Sequence, residues 1–479
     1  MRKGEAMLIR NGMTATGGSV AQADVRIEGG AIIAIGERLE RAAGEEVLDA
    51  GGCYVIPGGI DPHVHVTIGG RSLNEEMLDD LEEASRCALF GGVTTLGVYV
   101  QGAPGMRLLD AVREEIDYGE KASYTDFFVN ALCLPGDDVE EAVEDGSALG
   151  IASYKAFLGY FGRGRMLEDD ALMALMRAAA RHNCTVLVHA ESGRVMDYLE
   201  AVERESGDLR DAERLLRTAP AEVEAEGITR AGLFARLAGC RLLFVHMTSA
   251  LGLAAFEWVR EVVGADRVLV ETQPHYALLS NDAVVSRGAL AKIGPPLKGS
   301  ADADAVRGAL VSGMINHLSS DHSPRMSAVK LAKPDILDAP YGGISGTELL
   351  LPLAVELAGG LDDGAVSRAV RLCSAGAAQA FGLYPRKGVI AVGADGDVVV
   401  IPKDASARKI GPEWLHGRSD YSLYSDLSIS AVPRFVVKGG ITVIADGELI
   451  ERPTGRFLVP SFVAPTSPAD VEGVRHGSL

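Results

Sequence analysis

Five apolar runs of this 479-residue chain end in, or enclose, side chains able to bind a metal ion: Asp61-Pro62-His63-Val64-His65, then Lys155, His189, His246 and Asp321. A helix can gather ligands by local spacing. Drawing one or two from each of five distant segments requires a fold that aims many strand ends at one point. His63 and His65 are two apart, so on a strand both rings project to the same face. Asp61 shares that face as a carboxylate that could bridge two ions or support a ligand. An isolated His-x-His pair is weak by itself. A single histidine after an apolar run is ordinarily a satisfied core residue, but His189 ends TVLVHA and His246 ends LLFVHM, equivalent places in successive runs. Asp321, beside His322, ends another run, where a carboxylate either caps the next helix or completes a ligand set.

Lys155 is the unusual member. It lies inside GIASYKAFLGY, where burying an ammonium is costly. One reading pairs it with a neighbouring acid. In the other, burial lowers its pKa until the neutral amine takes up CO2. The product is a carboxylate on a long stem that two cations could share.

The elements that must position these groups follow from the pattern around them. To about Val55 the chain reads as short strands joined by tight glycine turns. From Tyr54 onward, short apolar runs alternate with amphipathic stretches such as Glu75–Phe90, Leu167–His182 and Ala250–Val263, which is the signature of a parallel sheet. Eight such runs occur: YVIPGGIDPHVH, VTTLGVYV, DFFVNALC, GIASYKAFL, CTVLVHA, RLLFVHM, RVLVETQ and MINHLSSD. Eight is the number a closed (β/α)8 TIM-like barrel demands, and such barrels carry active sites at the C-terminal ends of their strands. After Lys387 short strands return. The expected α/β architecture is therefore a barrel over residues 56–382, with a small composite β-sandwich from residues 1–55 and 383–460 and a Pro/Ser/Gly-rich tail over 461–479.

The net charge, 46 − 66 = −20, argues against nucleic acid or an anionic membrane as partner. Six cysteines (Cys53, Cys87, Cys133, Cys184, Cys240, Cys373) show no CxxC pair, so neither a disulfide frame nor a thiolate metal site is expected. The opening MRKGEAMLIRNG lacks the apolar stretch of a signal peptide, and no run approaches the ~20 apolar residues of a membrane helix. A reduced cytoplasm is the expected compartment.

The ordered series VIPGGIDPHVHV, FGGVTT, SYKAFLGY, VLVHAESG, FVHMTSA, ETQPHYALL, IGPPLK, SSDHSP and FGLYPRKGVIAVGADGDVVVI resembles the cyclic amidohydrolases of the amidohydrolase superfamily: dihydropyrimidinases, hydantoinases and allantoinases. The resemblance spans nearly the whole chain. It implies two divalent metal ions, usually zinc. His63, His65, N6-carboxylated Lys155 and Asp321 would hold one; the same lysine, His189 and His246 would hold the other. It further implies a small-molecule cyclic amide as substrate, attack by a hydroxide shared between the metals, Asp321 as proton shuttle, Tyr160 as donor to the developing oxyanion, and a homo-oligomer, tetramer or dimer.

The chain departs from the family at the substrate contacts. Gly294 stands where a serine is frequent before the two prolines, and Gly342 where an asparagine is frequent in the later glycine-rich loop. Both positions are expected to bind substrate through the main chain. YGGISG and SDHSP resemble allantoinases, whereas the Lys155-to-Tyr160 block resembles hydantoinases. Thr67 replaces the arginine of dihydroorotases, leaving no evident partner there for a substrate carboxylate. The glycine-rich Thr67–Leu73 segment leaves pocket size open, and Phe161 and Arg165 could line the pocket or face solvent. Two other classes remain: a non-catalytic scaffold like the collapsin-response-mediator proteins, which lack the ligands kept here, and a mononuclear hydrolase or deaminase, which would not need Lys155.

Overall fold

The computed structural model describes residues 6–16, 18–70, 78–205, 212–452 and 455–462. Eight parallel strands form the central sheet in sequence order: Gly59–His65, Val93–Val100, Asp126–Leu132, Ser153–Phe157, Thr185–His189, Arg241–Phe244, Val268–Thr272 and His317–Leu318. These are the eight apolar runs of the sequence. Most of their residues are buried, as expected when helices cover one face of a parallel sheet and the other lines a filled barrel. The eighth strand meets the first through a parallel bridge between Val64 and His322, and the His65 amide donates to the His322 carbonyl at 2.8 Å. That bond closes the barrel beside two of the candidate ligands.

Side-chain caps start several of the helices around it. Asp80 accepts from the Glu83 amide and opens Leu81–Phe90; Asp138 and Ser249 do the same for Val139–Ala148 and Ala250–Val263. The Asp80 cap starts the first of these helices at Leu81, and residues 75–77 of the expected Glu75–Phe90 stretch lie outside the described residues. Such caps satisfy amides that a helix start leaves unpaired.

Strands from both ends of the chain build two further sheets. In the seven-stranded one, Val398–Pro402 pairs antiparallel with Cys53–Pro57. The four-stranded one joins Ala31–Gly36, Asp24–Glu28, Met7–Arg10 and Glu46–Asp49. Met7, Ile9, Val25, Ile27, Val55, Val398 and Val400 share a core between them. The run YVIPGGIDPHVH is two strands, not one: its first four residues belong to Cys53–Pro57 of the seven-stranded sheet, so that sheet extends past the expected boundary at residue 55. At the foot of the third barrel strand, Asp126 receives Lys387 at 2.6 Å, Lys438 at 2.7 Å and Arg456 at 3.0 Å, tying barrel to sandwich. All six cysteines are buried and free. Of the predicted tail, only residues 461 and 462 lie within the described residues.

Candidate metal centre

All the sequence-predicted ligands reach one end of the barrel. His63 and His65 finish the first strand, Lys155 is central in the fourth, and His189 ends the fifth. His246 and Asp321 follow the sixth and eighth strands and take left-handed backbone conformations, with φ of 44° and 52°. Tyr160 shares this conformation at 62°. For histidine and tyrosine such a backbone is uncommon and costs about 1–3 kcal/mol, and strain of this kind clusters at functional sites.

His63 Nδ1 lies 2.5 Å from Glu271 Oε1, whose other oxygen is 3.1 Å from His317 Nε2. A proton on Nδ1 donated to Glu271 leaves His63 Nε2 as a lone-pair donor, 3.4 Å from Asp321 Oδ1. His65 Nε2 is 3.2 Å from the same oxygen. Ligand atoms bound tetrahedrally at about 2.0–2.1 Å sit about 3.3 Å apart, so the spacing fits a divalent cation of the zinc type. His63, His65 and Asp321 each offer one atom within 4.8 Å of the others. On the other side, His189 Nε2 is 2.7 Å from Glu191 Oε2, which leaves Nδ1 for a ligand role. The His189 and His246 rings are 4.4 Å apart, and His246 is 6.0 Å from His63.

The electrostatics suit metal binding. Burial lowers the pKa of His65 and His189 and takes His246 well below its usual value, keeping imidazole neutral as a ligand must be. Burial works against ionisation of Asp321, but His63 and His65 outweigh it and hold the pKa below the ordinary carboxylate value. Lys155 Nζ is 5.3 Å from the ring centroids of both Tyr99 and Phe157. Burial brings its pKa down to about 7, opposed only by the more distant charges of Glu271 and Asp321. Among the described residues no carboxylate lies within ion-pair distance of Lys155, so the ion pair that is one reading of this lysine is not formed there.

The family model described as "Amidohydrolase family" matches residues 54–443. The chain belongs to the amidohydrolase family. It is 32% identical to a D-hydantoinase of Ralstonia pickettii over 94% of this chain and 98% of that protein. It is 34% identical to an allantoinase of Rubrobacter xylanophilus over 95% and 97%. The crystal structure of dihydropyrimidinase from Brevibacillus agri superposes with a TM-score of 0.87 at 29% identity, covering 96% of this chain and all of that one. The amidohydrolase barrel and its additional strand domain are thus shared along almost the full length.

Other residues singled out in the sequence fall around this amidohydrolase centre. Asp61 accepts from the Ser320 amide at 3.0 Å and its hydroxyl at 2.5 Å, so it links the first strand to the eighth as a support. His322 points away, to Asp79 at 3.0 Å. The Tyr160 ring packs 4.7 Å from His189 and 5.3 Å from Tyr341, and its hydroxyl lies against Gly294. Gly342 has a φ of 81°, which favours glycine, and its carbonyl accepts from Lys330 Nζ at 2.8 Å. Thr67 is buried. Phe161 is exposed, whereas Arg165 is half-buried against Phe157. Residues 71–73 of the Thr67–Leu73 segment lie outside the described residues. Glu271, Glu191 and Tyr99, which orient or flank the ligands, were missed. Glu271 carried a usable signal, as an acid inside the apolar run RVLVETQ.

Proposed function

We propose that this amidohydrolase opens the amide bond of a cyclic amide or ureide, a dihydropyrimidine or 5-substituted hydantoin, as a binuclear metal enzyme with N6-carboxylated Lys155 as the shared ligand. The observation that carries the reading is Lys155 itself: a buried amine near His189 and His246, whose pKa values burial lowers, and without a hydrogen-bonded acid among the described residues, where a carboxylated side chain would serve two ions. His63, His65 and Asp321 would hold one ion and His189 and His246 the other. When bound, two divalent ions of the zinc type would supply a hydroxide nucleophile near neutral pH and polarise the scissile carbonyl. Asp321, ionised at rest, takes a proton from the nucleophile and passes it to the leaving ring nitrogen. Tyr160 donates to the developing oxyanion, and burial, which raises its pKa well above the usual value, keeps its proton in place. Main chain at Gly294 and Gly342 would hold the ring. Because the Gly342 carbonyl is bound by Lys330, the Gly342 amide is the group left for substrate.

Allantoin is the second reading, supported by the allantoinase relative. The test is ring opening of dihydrouracil and of allantoin by protein supplied with zinc and bicarbonate, with metal content measured. Turnover of dihydrouracil with two ions per chain supports the first reading, and preference for allantoin supports the second. Full activity with one ion per chain would overturn the binuclear mechanism.

A further inference from the structure

Arg165 follows the fourth barrel strand and lies one aromatic ring away from the metal ligands. Its guanidinium carbon is 5.6 Å from the centroid of Phe157, the ring that also stands 5.3 Å from Lys155 Nζ and 5.2 Å from His189. Its Nη1 donates to the side-chain oxygen of Gln101 at 3.1 Å. Gln101 follows the second strand, so the pair joins the segments after the second and fourth strands at the rim of the barrel. Burial is the main influence disfavouring its charge, and Arg163 and Arg325 add like-charge repulsion. No carboxylate among the described residues opposes them at Arg165. Arg163, over the Tyr341 ring at 4.6 Å, has Asp197 within electrostatic range, whereas the group that favours the charge of Arg165 is the Tyr160 phenol and not a carboxylate. A half-buried guanidinium with one neutral partner keeps several donors in a fixed planar fork suited to a carboxylate.

We propose that Arg165 recognises a carboxylate on the exocyclic substituent of the substrate, making the preferred substrates acidic cyclic amides or ureides. The inference rests on the cyclic-amide reading above. Thr67 leaves no arginine after the first strand for this task, and Arg165 supplies one from the loop that follows the fourth strand. A charge-assisted bond made equally in ground and transition states lowers KM and leaves kcat unchanged.

The test compares 5-(2-carboxyethyl)hydantoin with its neutral amide, 5-(2-carbamoylethyl)hydantoin, using the zinc-loaded full chain and its Arg165→Gln and Arg165→Lys variants. The wild type is expected to favour the acid by about 10- to 100-fold in kcat/KM, mostly through KM. R165Q should abolish the preference while retaining turnover of the amide, which also reports that it folds; R165K should keep part of it. Equal use of both substrates by the wild type, or an R165Q loss that is the same for both, overturns the role of Arg165 and leaves ring opening standing. Turnover of neither substrate by the two-metal wild type, together with none of dihydrouracil or allantoin, overturns the underlying reading and this inference with it.

Discussion

Gly294→Ala is expected to silence the enzyme through Tyr160. A Cβ built on Gly294 would lie 2.1 Å from the Tyr160 hydroxyl and 3.1 Å from Tyr341 Cδ1. Ordinary contact begins at 3.4 Å, so the hydroxyl must retreat by 3.4 − 2.1 = 1.3 Å. The ring has little freedom to do so, being packed against His189, Tyr341 and Phe157 at 4.7, 5.3 and 5.8 Å between centroids. Gly294 is not among the positive-φ glycines, so the backbone tolerates alanine and the effect is steric. A displacement of this size takes an oxyanion donor outside its working distance of about 2.7–3.1 Å, and losing one such donor costs about 100- to 1,000-fold in kcat. Steady-state kinetics on the best hydantoin or ureide substrate should show that loss with metal content unchanged. Tyr160→Phe should show a similar loss, and the double variant little more than either, because both changes remove the same hydroxyl. Wild-type kcat in Gly294→Ala, or losses that multiply in the double variant, would refute the reasoning.

Lys155→Ala should abolish activity and most metal binding, with partial rescue by short carboxylic acids; full activity with two ions retained would exclude a bridging role. Glu271→Ala removes the acceptor at His63 Nδ1 and should weaken metal binding by about 10- to 100-fold in a chelator competition, since such partners fix the tautomer and orientation of a ligand. An unchanged affinity would show that His63 needs no such support. Glu115→Gln tests a buried acid outside the centre, whose Oε2 accepts from the Gly69 amide at 2.7 Å. Burial, aided by Asp80, raises its pKa from 4.5 to about 7 against the Gly69 bond. The native state therefore favours the protonated acid: this contribution is fully present below pH 4.5 and is lost as pH rises through 7. Relative to wild type, the glutamine variant should gain stability between pH 4.5 and 7, to a limit of about 3 kcal/mol (2.5 units at 1.36 kcal/mol each). Denaturant unfolding at pH 4.5 and 8 measures it, and a difference that does not change with pH would contradict the buried acid.

The barrel was legible because its strands are apolar along their length and the intervening helices are not. The same property hid the assignment of Cys53–Pro57, since an apolar strand reads alike in either sheet. The chain changes sheets at Gly58, whose amide donates to Asp397 in the sandwich at 2.9 Å and where a Cβ would fall 2.1 Å from Thr94 Oγ1 in the barrel. A glycine at that junction is required by a contact 36 residues away (94 − 58), which no local pattern reports. The candidate ligands stood out for a related reason: histidine, lysine and aspartate are conspicuous at the ends of apolar runs. Glu191 acts only through the second nitrogen of a histidine and leaves no pattern of its own. Glu271 could have been found by the argument applied to Lys155, because both are charged residues in buried strands and both are explained by what lies across the barrel mouth. The fit between Tyr160 and Gly294 was beyond sequence reasoning, since it joins residues 134 positions apart (294 − 160) through the packing of three rings. The departure from serine at 294, which in sequence leaves only main-chain contacts to substrate, becomes in three dimensions the space that a tyrosine hydroxyl occupies. Residues 160 and 294 are therefore coupled between loops, and substituting residue 294 toward the family's usual serine should displace Tyr160 before it adds any contact to substrate.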